Sequence, residues 1–240
     1  MVDLHRHPVQ TDEQLPPPSW HIWFATSSPD RWPQLQQLPA HPRWKRGYGI
    51  LPQALIDTQF SIEALSADLH AALVKDPWGY TGEIGLDMRY DIPLQFALAT
   101  ALMQVSDRVK RPIVLHHIGS VVNLERLLEQ AAVSVPVIIH NFTGSIETAR
   151  RLRALGAAVS LGPTVWKRET RLAQRLREFD IPFVLETDYP YGATQTEHLY
   201  TDEVHEHYDH IASLMGLSRK LLEEHCDAHA TFFAHWPIDR

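Results

Sequence analysis

Eight short runs of branched, aliphatic and aromatic residues, separated by longer stretches, set the strongest limit on what this chain can fold into. They read MVDLH from Met1, WHIWFA from Trp20, RGYGIL from Arg46, YTGEIGL from Tyr80, PIVLHH from Pro112, PVIIHN from Pro136, AAVSLG from Ala157 and IPFVLETD from Ile181. Between them lie segments of helical period: Ile62, Leu65, Leu69 and Leu73 form one apolar stripe, and Ile146, Ala149, Leu152 and Leu155 form another. Near-continuous apolar runs mark strands buried on both faces, and an intervening helix lets consecutive strands lie parallel. Eight such units predict an α/β fold, a closed (β/α)8 TIM barrel formed by residues 1–240 as a single domain. Two helical segments after the eighth run, 201–215 and 218–234, are expected to cover the last helix position and the C-terminus. LPPPSW at 15–20 is a stiff connector between the first two strands.

The composition is that of an ordinary water-soluble globular chain, and 240 residues with 44% hydrophobic content can bury one large core. A formal net charge of −7 argues against a protein held to nucleic acid mainly by a basic surface. The lone Cys226 excludes an internal disulfide and any cysteine-based zinc site. No run approaches the eighteen apolar residues of a membrane span, and the first residues contain no apolar stretch of the signal-peptide kind, so a cytoplasmic protein with no obligate protein partner is expected. The fifteen histidines are the anomaly.

In a parallel barrel the C-terminal ends of all strands meet at one mouth, where chemistry is placed. His5 and His7 end the first run and, two residues apart, point to the same side. Glu83 lies in the fourth run, His116 ends the fifth, His140 the sixth and Asp188 the eighth. Each has an ordinary alternative: a buried histidine satisfied by the core, or an aspartate capping a helix. What independent structural roles do not explain is that all six fall at strand ends. Imidazole and carboxylate together suit one or two divalent cations such as zinc, manganese or magnesium, and carboxylates can bridge two ions or hold an activated water.

DLHRH, GEIGLD followed by Gln95, PIVLHH, HNFTGS and LETDYPYG, in this order and spacing, resemble the TatD family of metal-dependent hydrolases, a branch of the amidohydrolase superfamily. The resemblance covers nearly the whole chain. GEIGLD and ETD-x-P-Y are specific; His-x-His is not. It implies a (β/α)8 barrel with one or two divalent cations held by His5, His7, Glu83, His116, His140 and Asp188. Glu83 is then the residue that bridges two metals, and Asp188 both binds metal and takes a proton from the attacking water. Asp87 in GLD is expected to fix a ligand histidine through a hydrogen bond. Several family members are deoxyribonucleases.

The chain also departs from the family pattern. Where an arginine is usual two residues after the fifth-strand histidine, Ile118 follows His117, and HNF replaces HCF. The segment TEHLYTDEVHEHYDH holds His205, His207, His210, Glu203 and Asp209, which suggests either a second metal site or, at this spacing, an amphipathic helix with Val204, Tyr208 and Ile211 inward. TVWKR at 164–168 places Trp166 beside Lys167 at the barrel mouth, and Arg89 and His117 lie near it, a set suited to holding a phosphoester by stacking and charge. The expected function is therefore metal-dependent phosphodiester hydrolysis, single-stranded DNA being one possible substrate. Ester, lactone or amide hydrolysis by the same centre is the alternative, and a barrel that binds metal without catalysis is a further one. Arg150, Arg151, Arg153, Arg171, Arg175 and Arg177 are read as a solvated helix face.

Overall fold

The computed structural model describes residues 1–8, 15–56, 58–90, 94–167, 170–191 and 199–234. Eight strands form one parallel sheet in chain order: β1 (Val2–Arg6), β2 (His21–Ala25), β3 (Trp44–Ile50), β4 (Gly79–Asp87), β5 (Ile113–Ile118), β6 (Val137–Ile139), β7 (Ala157–Leu161) and β8 (Phe183–Leu185). The first and last strands meet at the mouth. Arg6 bridges to Tyr189, the Asp188 amide donates to the His5 carbonyl at 2.9 Å, and the His7 amide donates to the Tyr189 carbonyl at 2.7 Å. These contacts bring the sheet round to a barrel and draw the tips of β1 and β8 together.

The residues explain the strands. β1, β2, β4, β6 and β8 are buried at every position, as expected of strands with side chains in the barrel interior on one face and under helices on the other. Trp23 and Tyr80 fill the interior with ring centroids 4.8 Å apart. Outside run α2 (Ile62–Lys75), α3 (Gln95–Arg108), α4 (Val121–Ala131) and α5 (Ile146–Ala154), then α8 (Tyr200–Met215) and α9 (Arg219–Ala234) after β8. Serine starts three of them: Ser61, Ser120 and Ser145 accept from the amides of Ala64, Val122 and Thr148.

The helical layer is less regular than the alternating pattern predicts. Among the described residues the first crossover carries no helix and the second only a 3-10 turn (Pro29–Arg31) and the short α1 (Trp32–Leu35), while the crossover between β7 and β8 carries α6 (Thr164–Lys167) and α7 (Arg171–Gln174). Pro16, Pro17 and Pro18 lack the amide hydrogens that propagate a helix, which accounts for part of the first gap. Among the described residues no helix is long and apolar enough to cross a membrane.

Candidate metal centre

Strand ends carry five of the candidate donors into one cluster, and Glu83 joins them from the middle of β4 (Gly79–Asp87) rather than from the strand end expected of it. Gly85 has φ +145°, and a Cβ there would lie 2.0 Å from the His116 carbonyl, so only glycine lets β4 run this close to the end of β5. Asp3 clamps the other side: it accepts from the Thr187 amide at 2.9 Å, the Thr187 hydroxyl at 2.7 Å and the Tyr200 hydroxyl at 2.7 Å. The next residue, Asp188, is thereby held in the left-handed backbone region at φ +54° with its side chain at the mouth.

Glu83 sits at the middle. Its Oε1 is 2.8 Å from His116 Nδ1 and 2.9 Å from His140 Nε2, while Oε2 is 3.6 Å from both His5 Nε2 and His7 Nε2. Asp188 Oδ1 closes the second half, 3.7 Å from His5 Nε2 and 3.5 Å from His7 Nε2. The outward ring nitrogens are anchored too. His116 Nε2 lies 3.2 Å from Asp87 Oδ2, and His140 Nδ1 lies 3.3 Å from Glu186 Oε1, whose other oxygen accepts from Ser160.

The electrostatics favour positive charge at this point. Burial pushes the Glu83 carboxyl upward, but the facing His140, His116 and His5 outweigh it and hold the group well below the usual carboxylate range. Burial likewise opposes the charge on Asp188, and His7 and His5 still bring it below its ordinary value. For His140 burial works downward, yet Glu83 and Glu186 raise it well above that of a free imidazole. Both ring nitrogens of His5 are buried without a hydrogen bond. One carboxylate oxygen facing two imidazole nitrogens that are themselves 3.0 Å apart is a donor set that a cation satisfies better than a single proton. The residues fit a divalent metal.

Other expected residues are placed differently. Asp87 contacts His116 as anticipated, but it also engages Arg89, whose Nε lies 2.9 and 3.2 Å and Nη2 2.5 Å from the carboxylate oxygens. Arg89 lines the cavity above the centre with its guanidinium committed to that carboxylate. His117 also lines the cavity; its Nε2 lies 3.0 Å from the Ser120 carbonyl oxygen, and burial lowers its pKa, so it does not supply the cation absent at Ile118. Trp166, expected as a stacking platform, packs against α8. Its indole lies flat on His210, with centroids 4.0 Å apart and planes 6° apart, and donates to His207 Nδ1 at 3.0 Å. α8, packed beside it, thus covers one face of the indole. The Lys167 side chain lies outside the described residues.

The histidines of α8 resolve as a helix face. Val204, Tyr208 and Ile211 are buried as expected, His207 joins them with Nε2 2.8 Å from the Leu161 carbonyl oxygen, and His205 contacts Arg219. Among the described residues, groups of three or more donors within reach of one cation occur only at the mouth: His5 with His7 and Asp188, and His5 with Glu83 and His140. Of the surface arginines, Arg150 pairs with Asp180, Arg151 with Glu125, and Arg175 with Glu147 and Glu178. Glu186, Ser160 and Asp3 escape the sequence reading, although Glu186 and Asp3 each stand two residues before a candidate donor, the spacing that puts side chains on one face of a strand.

Fold and centre together define a class: (β/α)8 barrels with a histidine and carboxylate cluster at the C-terminal mouth. The chain belongs to the TatD-related DNase family, whose model matches residues 36–233. An uncharacterized metal-dependent hydrolase of Buchnera aphidicola is 29% identical over 116 residues, which is 46% of this chain and 44% of that relative, so the match spans less than half of the relative's length. Among solved structures, YJJV, a TatD homologue from Escherichia coli K12, superposes with a TM-score of 0.77 at 18% identity over 97% of this chain and 96% of that one. A TatD family hydrolase from Entamoeba histolytica gives 0.65 at 14% identity, over 89% and 84%.

Proposed function

We propose that this chain is a divalent-metal-dependent hydrolase that cleaves ester bonds with water at the barrel mouth. The observation that carries this proposal is the division of Glu83: one oxygen faces His116 and His140, the other His5 and His7, with Asp188 closing that half. One carboxylate placed this way can serve two adjacent cations or complete the shell of one. When bound, the cation supplies acidification of water from a pKa of about 15.7 to about 7 and withdrawal of charge from the scissile oxygen.

The chain's own residues supply the rest. Asp188 has an 18% exposed side chain at the cavity edge, where its carboxylate can orient a water and accept its proton. Asp87 and Glu186 hold the rings of His116 and His140 by the nitrogens turned away from the centre. The packed barrel interior beneath keeps bulk water to one side. The family model's name and that of the Buchnera relative agree with hydrolysis.

A second proposal, phosphodiester hydrolysis on single-stranded DNA, draws on the family's name and on Lys167 and Arg168, which come three and four residues after the lining residue Thr164 in the sequence. The test of both is metal analysis of the purified protein, then hydrolysis assays with zinc, manganese and magnesium on a single-stranded oligonucleotide, bis(p-nitrophenyl) phosphate, a p-nitrophenyl ester and an anilide. Bound metal with turnover of an ester supports hydrolysis. Bound metal with no turnover of any of these defeats it.

A further inference from the structure

The cavity over the centre encloses about 920 Å³, and its two halves differ. One half presents His7, Glu83, His140 and Asp188; the other presents Leu51 from the end of β3, with Ile118, Val121, Leu124, Ile139 and Phe142 from the ends of β5 and β6 and the start of α4. Leu51, Leu124, Ile139 and Phe142 are at most 6% exposed and form the floor of this half, while Ile118 and Val121 are half-buried and open to a ligand. Met88, 53% exposed, packs over Gly119 and extends the apolar surface to the rim. The polar groups nearby are neutral, among them Asn141, Thr143 and Thr164.

Charge decides what can lie on this wall. Among the described lining residues the only lysine or arginine is Arg89, and its guanidinium is held on Asp87. A phosphate flanking the scissile bond would lose hydration against Ile118 and Val121 with no counter-ion among the described lining residues to replace it, which is costly. An uncharged alkyl or aryl group would instead gain by leaving water. Resting on the hydrolase function proposed above, we infer that the preferred substrate is an uncharged carboxylic ester with a short apolar group seated against Ile118 and Val121. Those two residues set its specificity.

The test uses the metal-loaded full chain and the p-nitrophenyl esters of acetate, butyrate and hexanoate, beside bis(p-nitrophenyl) phosphate and a single-stranded oligonucleotide. Each added methylene should raise kcat/KM by about fourfold until the wall is covered. Ile118→Arg should flatten that slope and shift the ratio of phosphodiester to hexanoate turnover by at least about tenfold toward the phosphodiester, with bound metal unchanged. Val121→Ser, on the first turn of α4, should weaken the slope in the same direction and serves if Ile118→Arg fails to fold. Independently of turnover, hexanoate should bind the zinc-loaded protein more tightly than acetate by calorimetry. Ester hydrolysis with no dependence on chain length, or a phosphodiester turned over better than hexanoate, overturns this specificity and leaves the hydrolase intact. Absence of all turnover with metal bound removes the hydrolase, and equal binding of hexanoate and acetate then removes the apolar seat as well.

Discussion

The barrel mouth and the first three turns of α8 are both dense in imidazole and carboxylate, yet only the mouth gathers them. At the mouth, donors far apart in sequence come together, each histidine lying 2.8 to 3.7 Å from Glu83 or Asp188. On α8, His205, His207 and His210 are near neighbours in sequence, yet His205 turns to Arg219 while His207 and His210 pack on Trp166, His207 also reaching the Leu161 carbonyl. A helix turns about 100° per residue, so His205 points away from the face that His207 and His210 share, whereas parallel strands closed into a barrel aim their last side chains at one point. Local density of metal-binding residue types therefore says little, and shared strand-end position says much.

The sharpest way to break this contrast is Glu83→Gln. The side chain keeps its shape but loses the charge that both halves of the centre share. Bound metal after dialysis should fall, and ester turnover should drop by roughly 10³-fold or more. Metal content equal to wild type with turnover within tenfold would show that the carboxylate is not the shared donor. Asp188→Asn tests one half alone. Metal on the His116 and His140 side should survive and thermal unfolding should move little, while kcat falls by about 10² to 10⁴, or roughly 3 to 5 kcal/mol of barrel-mouth catalysis. Near wild-type kcat with metal verified would pass the proton-accepting role to Glu83 or a histidine.

The contrast also shows what was legible before the fold. The eight runs, their parallel order and the convergence of six donors follow from period and position, because a barrel converts strand ends into neighbours whatever the loops do. The resemblance added roles that spacing alone does not assign. Side-chain pairing across distant elements was not legible. Trp166 reads as a free platform until α8 lies beside it, 41 residues away in sequence, and Arg89 reads as a free cation until it turns back on Asp87. Glu186 was missed for the opposite reason. It precedes Asp188 by two, but its partner His140 comes from β6, and no local pattern states that pairing.

Glu186→Gln sharpens the comparison at a smaller scale. It leaves all six donors in place and weakens only the grip on His140 from behind, so metal affinity should fall by about 10- to 100-fold, measured by chelator competition, with kcat at saturating metal changing less. An unchanged affinity would mean that packing alone, through the 4.3 Å stack of His140 on His5, orients the ring.

His210→Ala carries the smallest expected effect and tests the other side of the contrast. His210 lies flat on Trp166 at 4.0 Å, with its Nδ1 2.9 Å from the Glu206 carbonyl oxygen on its own helix. Such a stack is worth about 0.5 to 1.5 kcal/mol, and in a chain of this size each kcal/mol moves the melting temperature by roughly 2 to 4 °C. The variant should therefore melt a few degrees lower, with bound metal and ester turnover unchanged. His210→Phe separates the two explanations, because phenylalanine can stack but cannot bind a cation. Restored melting temperature with full metal content places His210 in packing alone. Loss of a metal equivalent in both variants would make the α8 face a site in its own right, and strand-end convergence would no longer distinguish the two regions.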